Sequence, residues 1–224
     1  MTPSEHVRIR ITQDGPYVLE GEAPVVRTTP IETEYGEPVG WDPDREVEVP
    51  AAPVRLCRCG NSSTKPFCDD SHLDGFDGKE VAPHSPYADR REVFEGEGGV
   101  VIEDDISLCA DAGFCGDRFE HVWEMLDRTG DPAMRERVLQ MVSRCPSGRI
   151  FTRTPDGPAQ EPSFEPSVAA ITDGPLWARG GIQVIGADGH PYEIRNRQTL
   201  CRCGHSSNKP FCDGTHEAVR FRDG

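Results

Sequence analysis

Two stretches of the chain repeat one spacing of cysteine and histidine, C-x-C-x8-C-x3-H. Six of the nine cysteines fall into this spacing, and an identical Lys-Pro-Phe precedes each third cysteine. The two sets are Cys57, Cys59, Cys68 and His72, and Cys201, Cys203, Cys212 and His216. Thiolates and imidazoles are the ligands that soft and borderline transition metals prefer. The repeat therefore predicts two metal sites, each with three sulfur ligands and one nitrogen ligand.

The spacing alone leaves the metal open. Three cysteines and one histidine are an accepted ligand set for structural zinc, although zinc sites more often use C-x2-C than C-x-C. Iron–sulfur ligation fits the same set equally well. Buried free thiols are a third interpretation, which we disfavour because chance rarely duplicates so long a pattern.

Residues beside the cysteines predict how the ligands are presented. A helix that starts near Asp69 and Asp213 would place the third cysteine and the histidine, four positions apart, on one face. The positive end of the helix dipole would also favour an anionic metal centre. We expect Lys65 and Lys209 to lie close to the sites and to offset part of their negative charge.

Both stretches resemble the CDGSH signature of the NEET iron–sulfur proteins, C-x-C-x2-S/T-x3-P-x-C-D-G-S/A/T-H. The resemblance includes Pro66 and Pro210, and it implies a [2Fe-2S] cluster at each site. The implied ligands are Cys57 and Cys59 on one iron with Cys68 and His72 on the other, and likewise Cys201 and Cys203 with Cys212 and His216. Asp70 departs from the signature glycine, so we expect the first site to be less stable or lower in potential than the second.

A single histidine ligand has consequences for redox potential and for acid stability. All-thiolate plant-type clusters lie near roughly −400 mV, and two histidines on one iron raise this to roughly −150 mV or above. One imidazole should give a value between these limits. Because imidazole protonates near neutrality, we expect acid to loosen the iron held by His72 and by His216.

A second pattern lies between the repeats. Cys109 and Cys115, followed by the Cys145-Pro146 pair, resemble bacterial single-cluster ferredoxins, with Ala112 where four-cysteine versions have a ligand. The resemblance implies a [3Fe-4S] cluster, or a [4Fe-4S] cluster whose open iron is held by Asp111 or water. The alternative is an insert that has lost its cluster. An aconitase-like use of an open iron is disfavoured, because no substrate-binding arginine or serine cluster stands out nearby.

The resemblances predict an α+β protein with three parts. We expect a first CDGSH repeat over residues 1–85, a ferredoxin-like βααβ insert over 92–154, a Pro-rich linker over 155–170 and a second repeat over 171–224. NEET domains pair two such motifs across a two-fold axis, so a small β-rich pseudo-dimer within one chain is expected. The first repeat carries an extra segment around residues 31–50.

Periodicity predicts the individual elements. Alternation at residues 7–11 and a β-branched run at 182–185 indicate strands, as do residues 100–102 and 150–152. One helix is expected from Asp117 as N-cap through Phe119 to Leu126, with Phe119 in the core. A second should follow Asp131 as N-cap and Pro132, and end before Pro146. Arg195 and Arg197 are expected to form a small basic patch at a strand edge or beside the cluster sulfurs.

Composition and net charge exclude several classes of function. The chain has 224 residues, 35 % of them apolar, and a net charge of −15, which argues against binding nucleic acid or anionic membranes. No apolar run approaches a membrane span, and no signal core is present, so we expect reduced thiols in the cytoplasm. We expect a non-enzymatic, monomeric electron-transfer protein with a redox partner. Delivery of clusters to an apo iron–sulfur acceptor, redox or pH sensing, and a structural zinc protein are the alternatives.

Overall fold

The fold consists mainly of short strands with few helices, which is compatible with the predicted α+β class. The computed structural model of the chain describes residues 7–223. The N-terminal strands are β1 (Arg8–Ile11), β2 (Tyr17–Glu20), β3 (Val25–Thr28), β4 (Pro30–Glu32), β5 (Pro38–Trp41), β6 (Arg45–Glu46) and β7 (Val54–Leu56). The C-terminal elements are β12 (Ser167–Ile171), β13 (Leu176–Arg179), β14 (Gln183–Ile185), β15 (Arg197–Leu200) and α3 (Thr215–Ala218).

The middle of the chain contributes β8 (Glu92–Glu95), β9 (Val101–Asp104), α1 (Val122–Met125), α2 (Pro132–Arg144), β10 (Ile150–Arg153) and β11 (Ala159–Gln160). Its strands form a sheet of their own, ordered β11-β10-β9-β8, beside the two helices. The helices pack on this sheet through a separate apolar cluster that includes Ile102, Met125, Val138 and Ile150. We call residues 92–160 the middle domain.

The two repeats exchange strands. β1 pairs in parallel with β14 of the second repeat, and β12 pairs in parallel with β3 of the first. The resulting sheets have the orders β14-β1-β2-β7 and β15-β13-β12-β3-β6. Side chains from both repeats, among them Ile9, Tyr17, Val168 and Leu176, share one buried cluster. Neither sheet is therefore complete without residues from the other end of the chain.

The predicted strands and the second helix are confirmed. β1, β9, β10 and β14 overlap the four segments expected to be extended. Asp131 caps α2 by accepting hydrogen bonds from the backbone N–H groups of Ala133 and Met134, and Pro132 is the first helical residue. α2 ends at Arg144, and its buried side chains include Val138 and Met141. β11 and the start of β12 lie inside the segment 155–170 that was expected to be a linker.

The prediction for the first helix was wrong at its start. α1 begins only at Val122, where His121 and Glu124 form a capping box, and a 3-10 turn over Leu126–Arg128 follows it. Asp117 instead closes a turn, accepting from the backbone N–H of Phe119 at 2.8 Å and from that of Glu120 at 3.0 Å. This turn leaves the Phe119 side chain 82 % exposed, so it is not a core residue. No helix of the described residues is long and apolar enough to cross a membrane.

Candidate metal centres

Each predicted ligand loop follows the last strand of its repeat and brings its four ligands into two close pairs. The Sγ atoms of Cys57 and Cys59 lie 3.8 Å apart, and Cys68 Sγ lies 3.4 Å from His72 Nδ1. The second loop has the same two distances, from Cys201 to Cys203 and from Cys212 to His216. The duplicated spacing therefore gives duplicated local geometry.

The pairs are spaced for two metal atoms rather than one. Four ligands around a single tetrahedral zinc at its usual bond lengths of about 2.0–2.3 Å would all lie within about 3.8 Å of one another. Among the residues that the structure describes, the only set of three ligands within 4.8 Å of one another is Cys68, Asp70 and His72. Each pair could hold one tetrahedral metal, which fits a two-iron centre and not a zinc knuckle.

The first cysteine of each loop is prepared to be a thiolate. The neighbouring Cys59 thiol, together with backbone N–H groups of Ser62 and Gly60, lowers the pKa of Cys57 to about 6. The pKa of Cys201 is lowered to about 6 in the same way by Cys203 and loop N–H groups. Burial of Cys212 raises its pKa, so that thiol needs a metal to ionise.

The helix predicted to start near Asp69 and Asp213 begins later and is short. The first loop has only a 3-10 turn over Ser71–Leu73, and the second has α3. Asp69 instead ties the loop together, accepting from Ser63 N–H at 2.8 Å and from Ser71 Oγ at 2.6 Å, and Asp213 does the same in the second loop. The true caps, Asp70 and Gly214, are both left-handed, with φ of 71° and 84°.

Asp70 does not stand as an isolated charge beside the first site. Arg55 donates to both of its carboxylate oxygens, at 2.6 and 3.2 Å, and this contact lowers the pKa of Asp70. Asp70 Oδ1 also lies 4.0 Å from Cys68 Sγ. The negative charge expected from the sequence is present, with an arginine as its partner.

The lysines brace the loops. Lys65 Nζ donates to the Ser62 carbonyl at 2.6 Å, and Lys209 Nζ donates to the Ser206 carbonyl at 2.8 Å. Each lysine therefore binds a backbone carbonyl of its own ligand loop, close to the cysteines.

Sequence reasoning missed the arginine between the first two cysteines of each loop. Arg58 and Arg202 are each only 1 % exposed. Arg202 donates to the carbonyls of Ile171 and Gly174 and pairs with Asp223 at 2.6 Å. Arg58 donates to the carbonyls of Thr12, which is the equivalent of Ile171, and of Gly78. The sequence did contain a signal for this role, because both repeats have an arginine between their first two cysteines.

The two ligand loops touch each other. A Cβ on Gly60 would lie 2.4 Å from the carbonyl oxygen of Cys203, and one on Gly204 would lie 2.5 Å from that of Cys59. Both glycines also have positive φ, so the backbone conformation and the lack of space for a side chain each require glycine at these positions. Tyr17 of the first repeat donates to the Cys201 carbonyl at 2.8 Å. The two sites are therefore held at a fixed distance by backbone contact.

Cys109, Cys115 and Cys145 are brought together around one cavity of about 320 Å³. Arg149 and Ser147 also line it, although no arginine or serine cluster was expected there. Arg149 donates to Cys109 Sγ at 3.1 Å, and Ser147 Oγ lies 3.4 Å from Cys145 Sγ. Arg149 is also bound through two nitrogens to Asp104, at 2.6 and 2.8 Å. Because this pair occupies the guanidinium, an aconitase-like role stays disfavoured.

Asp111 faces the second CDGSH-type loop. A Cβ on Gly214 would lie 2.6 Å from Asp111 Cβ and 3.5 Å from its Oδ2. The loop between Cys109 and Cys115 therefore packs directly on the cap of α3. Burial lowers the pKa of His216 beneath this contact, while the nearby carboxylates of Glu217 and Asp111 oppose the shift.

The extra segment of the first repeat closes the other side of this region. β4 and β5 form a hairpin whose Pro38 lies against Gly113 and whose Trp41 lies between Phe114 and Trp177, each ring centroid at 4.9 Å. Trp41 Nε1 also donates to the Arg144 carbonyl at 2.9 Å, just before Cys145. The hairpin thus joins the three-cysteine loop to both repeats.

The prediction of a basic patch at Arg195 and Arg197 was wrong. Arg197 is 1 % exposed and donates to the carbonyls of Val142, Ser143, Cys145 and Ile150. Four carbonyls around the end of α2 and the start of β10 draw this guanidinium into the interior. Arg195 is stacked on Tyr87, 4.3 Å from its ring centroid.

Comparison with protein-family models identifies all three parts. A family described as iron-binding zinc finger, CDGSH type, matches residues 14–73 and 173–217. A family described as divergent 4Fe-4S mono-cluster matches residues 96–154 between them. A search of curated proteins found no match. The chain therefore contains two CDGSH-type regions that flank one divergent 4Fe-4S mono-cluster domain, and these three domains together support an iron–sulfur protein.

Proposed function

We propose that the protein is an electron-transfer protein, not an enzyme, with two [2Fe-2S] centres and one [3Fe-4S] or [4Fe-4S] centre. The ligands of the paired centres are Cys57, Cys59, Cys68 and His72, and Cys201, Cys203, Cys212 and His216. The ligands of the third are Cys109, Cys115 and Cys145. When bound, such groups supply reversible one-electron chemistry. The partner is a redox protein.

The observation that carries this proposal is the contact between the three sites. The ligand loops of the two CDGSH-type sites touch at Gly60 and Gly204, and the three-cysteine loop touches the second at Gly214. Such close spacing serves passage of electrons between centres. Three independent structural metals would not require it.

The same strand exchange supports an intramolecular pseudo-dimer. β1 and β12 occupy equivalent places in their sheets, each beside a strand from the other repeat. We propose that residues 92–154 form an insert between these halves, and that the chain acts as a monomer in the cytoplasm.

Cluster delivery is the second candidate, favoured by the half-exposed Cys68 and His72 of the first site. Incubating loaded protein with an apo-ferredoxin separates the two functions. Electron transfer predicts fast, reversible reduction with the iron retained by this chain. Stoichiometric movement of iron and sulfide to the apo-ferredoxin would overturn electron transfer in favour of delivery.

A further inference from the structure

The two CDGSH-type sites have the same ligand spacing but unequal exposure to solvent. In the first loop, Cys68 and His72 are both half-exposed. In the second, Cys212 is 2 % exposed and His216 is 7 % exposed. The difference extends along the loop, since Phe67 is half-exposed and its equivalent Phe211 is buried. Because the loops are closely similar in sequence, we look for the source of this asymmetry in the elements that pack on each loop.

The cover over the second site comes from the middle domain and the hairpin. Asp111 lies against Gly214, and Asn208 donates to the Ser107 carbonyl at 2.7 Å. The remaining space next to His216 is a cavity of about 250 Å³, whose far wall includes Pro38 and Trp41. A protein partner could not reach the His216 side without displacing these elements.

The first site presents a distinct surface at the same position. Leu73, directly after His72, is 76 % exposed, and its equivalent in the second loop is Glu217. Asp69 and Asp74 are exposed on the same turn. We call Asp69, His72, Leu73 and Asp74 the outlet face. It combines one apolar side chain with a net negative rim, in a chain of net charge −15.

We propose that the first site alone exchanges electrons with an external protein, and that this partner is a protein with a basic surface around an apolar patch. The second site is then an internal centre between the first site and the three cysteines. This inference rests on the proposed electron-transfer function and adds the order of the centres and the side on which the partner binds.

Access is tested by iron extraction from the loaded full-length protein with excess bipyridine at constant pH. We expect the two CDGSH-type sites to lose iron in two phases, about tenfold apart in rate. Asp111→Gly should accelerate the slow phase and leave the fast one unchanged, because φ of 57° at this position suits glycine. Arg220→Gly, at φ of 53° on the exposed surface, is the matched control and should change neither.

The partner surface is tested with cytochrome c as a basic one-electron probe. Protein reduced with dithionite and freed of excess reductant gives one electron to the ferric haem, which becomes ferrous. Asp74→Lys should slow this step about threefold at low ionic strength, and added salt should remove the difference. Leu73→Ser should slow it at any ionic strength. Glu136→Lys, an equal charge reversal on the exposed face of α2, should have a smaller effect than Asp74→Lys.

Each outcome has a separate meaning. One common extraction rate for both CDGSH-type sites, or equal effects of Asp74→Lys and Glu136→Lys, would overturn the inference while leaving electron transfer in place. Protein that binds no iron at all would overturn the proposed function itself.

Discussion

Asp70 shows how one residue distinguishes two otherwise equivalent loops. It holds a left-handed conformation that the second loop assigns to Gly214, and its charge lies beside Cys68. Its partner Arg55 is 41 % exposed and Asp70 is 46 % exposed at the side chain, so their ion pair contributes little to stability. The departure from the family signature therefore acts mainly through backbone strain and through the local field.

Asp70→Gly should stabilise the protein by up to about 1 kcal/mol, because the strain relieved outweighs a largely exposed ion pair. Removal of a negative charge should also raise the potential of the first site. Denaturant unfolding and a redox titration measure the two effects. The reciprocal change, Gly214→Asp, should destabilise, since its Cβ would lie 2.6 Å from that of Asp111. Lower stability and lower potential in Asp70→Gly would contradict this explanation.

Arg149 has the corresponding role at the three-cysteine site. Burial opposes its charge, but hydrogen bonds and charge from Asp104, with help from Cys109, raise its pKa, so it is a permanent cation at the cavity wall. At Cys115, burial raises the pKa of the thiol to about 11, and the positive charge of Arg149 counters this shift.

Arg149→Gln should destabilise the middle domain by about 3 kcal/mol, because it leaves the buried Asp104 carboxylate without its partner. It should also lower the potential of the third centre. Arg153→Gln is the control, since Arg153 pairs with Glu103 in the same sheet and its other hydrogen bonds go to nearby carbonyls. If Arg149→Gln and Arg153→Gln lost the EPR signal of the three-cysteine centre to the same extent, Arg149 would act only on folding.

At the scale of elements, the hairpin of β4 and β5 links parts that are far apart in sequence. Trp41 contacts the middle domain through Phe114 and the Arg144 carbonyl, and the second repeat through Trp177. The sequence showed only that this segment was extra. Its contact partners lie more than 70 positions further along the chain, where periodicity gives no information.

Trp41→Phe should keep most of the ring packing and lose the hydrogen bond to Arg144, at a cost of about 1 kcal/mol. Because that carbonyl immediately precedes Cys145, the EPR signal of the third centre should broaden or weaken while the CDGSH-type signals stay unchanged. Tyr35→Phe, an exposed aromatic on the same hairpin, is the control. If Trp41→Phe weakened a CDGSH-type signal and left that of the third centre unchanged, the hairpin would not support the three-cysteine site.

The limits of sequence reasoning follow from the range of the interactions. The close pairing of the proposed ligands, the strand positions and the Asp131 cap were predictable because they depend on residues within a few positions of each other. The delayed start of α1 was not, because Asp117 and its neighbours form a turn in which the backbone N–H of Arg118 donates to Glu37, 81 positions away in the hairpin. The burial of Arg197 and the unequal exposure of His72 and His216 likewise depend on the middle domain.

At the scale of the whole molecule, the exchanged strands make the repeats depend on each other. β1 and β14 lie at opposite ends of the chain, yet they are neighbours in one sheet, and the shared core includes Ile9 and Val184. We expect the two repeats to unfold in a single transition by calorimetry, since neither sheet survives loss of the other half. Two well-separated transitions assigned to the two CDGSH-type sites would contradict this architecture.

The central claim is that each duplicated loop holds a pair of irons and that the three-cysteine cavity holds a third centre. Iron and acid-labile sulfide analysis of anaerobically purified protein, combined with low-temperature EPR of the reduced and oxidised forms, tests it most directly. We predict about seven or eight irons per chain, two distinct reduced [2Fe-2S] signals and one further centre. Colourless protein with about two zinc ions per chain and no sulfide would contradict the account.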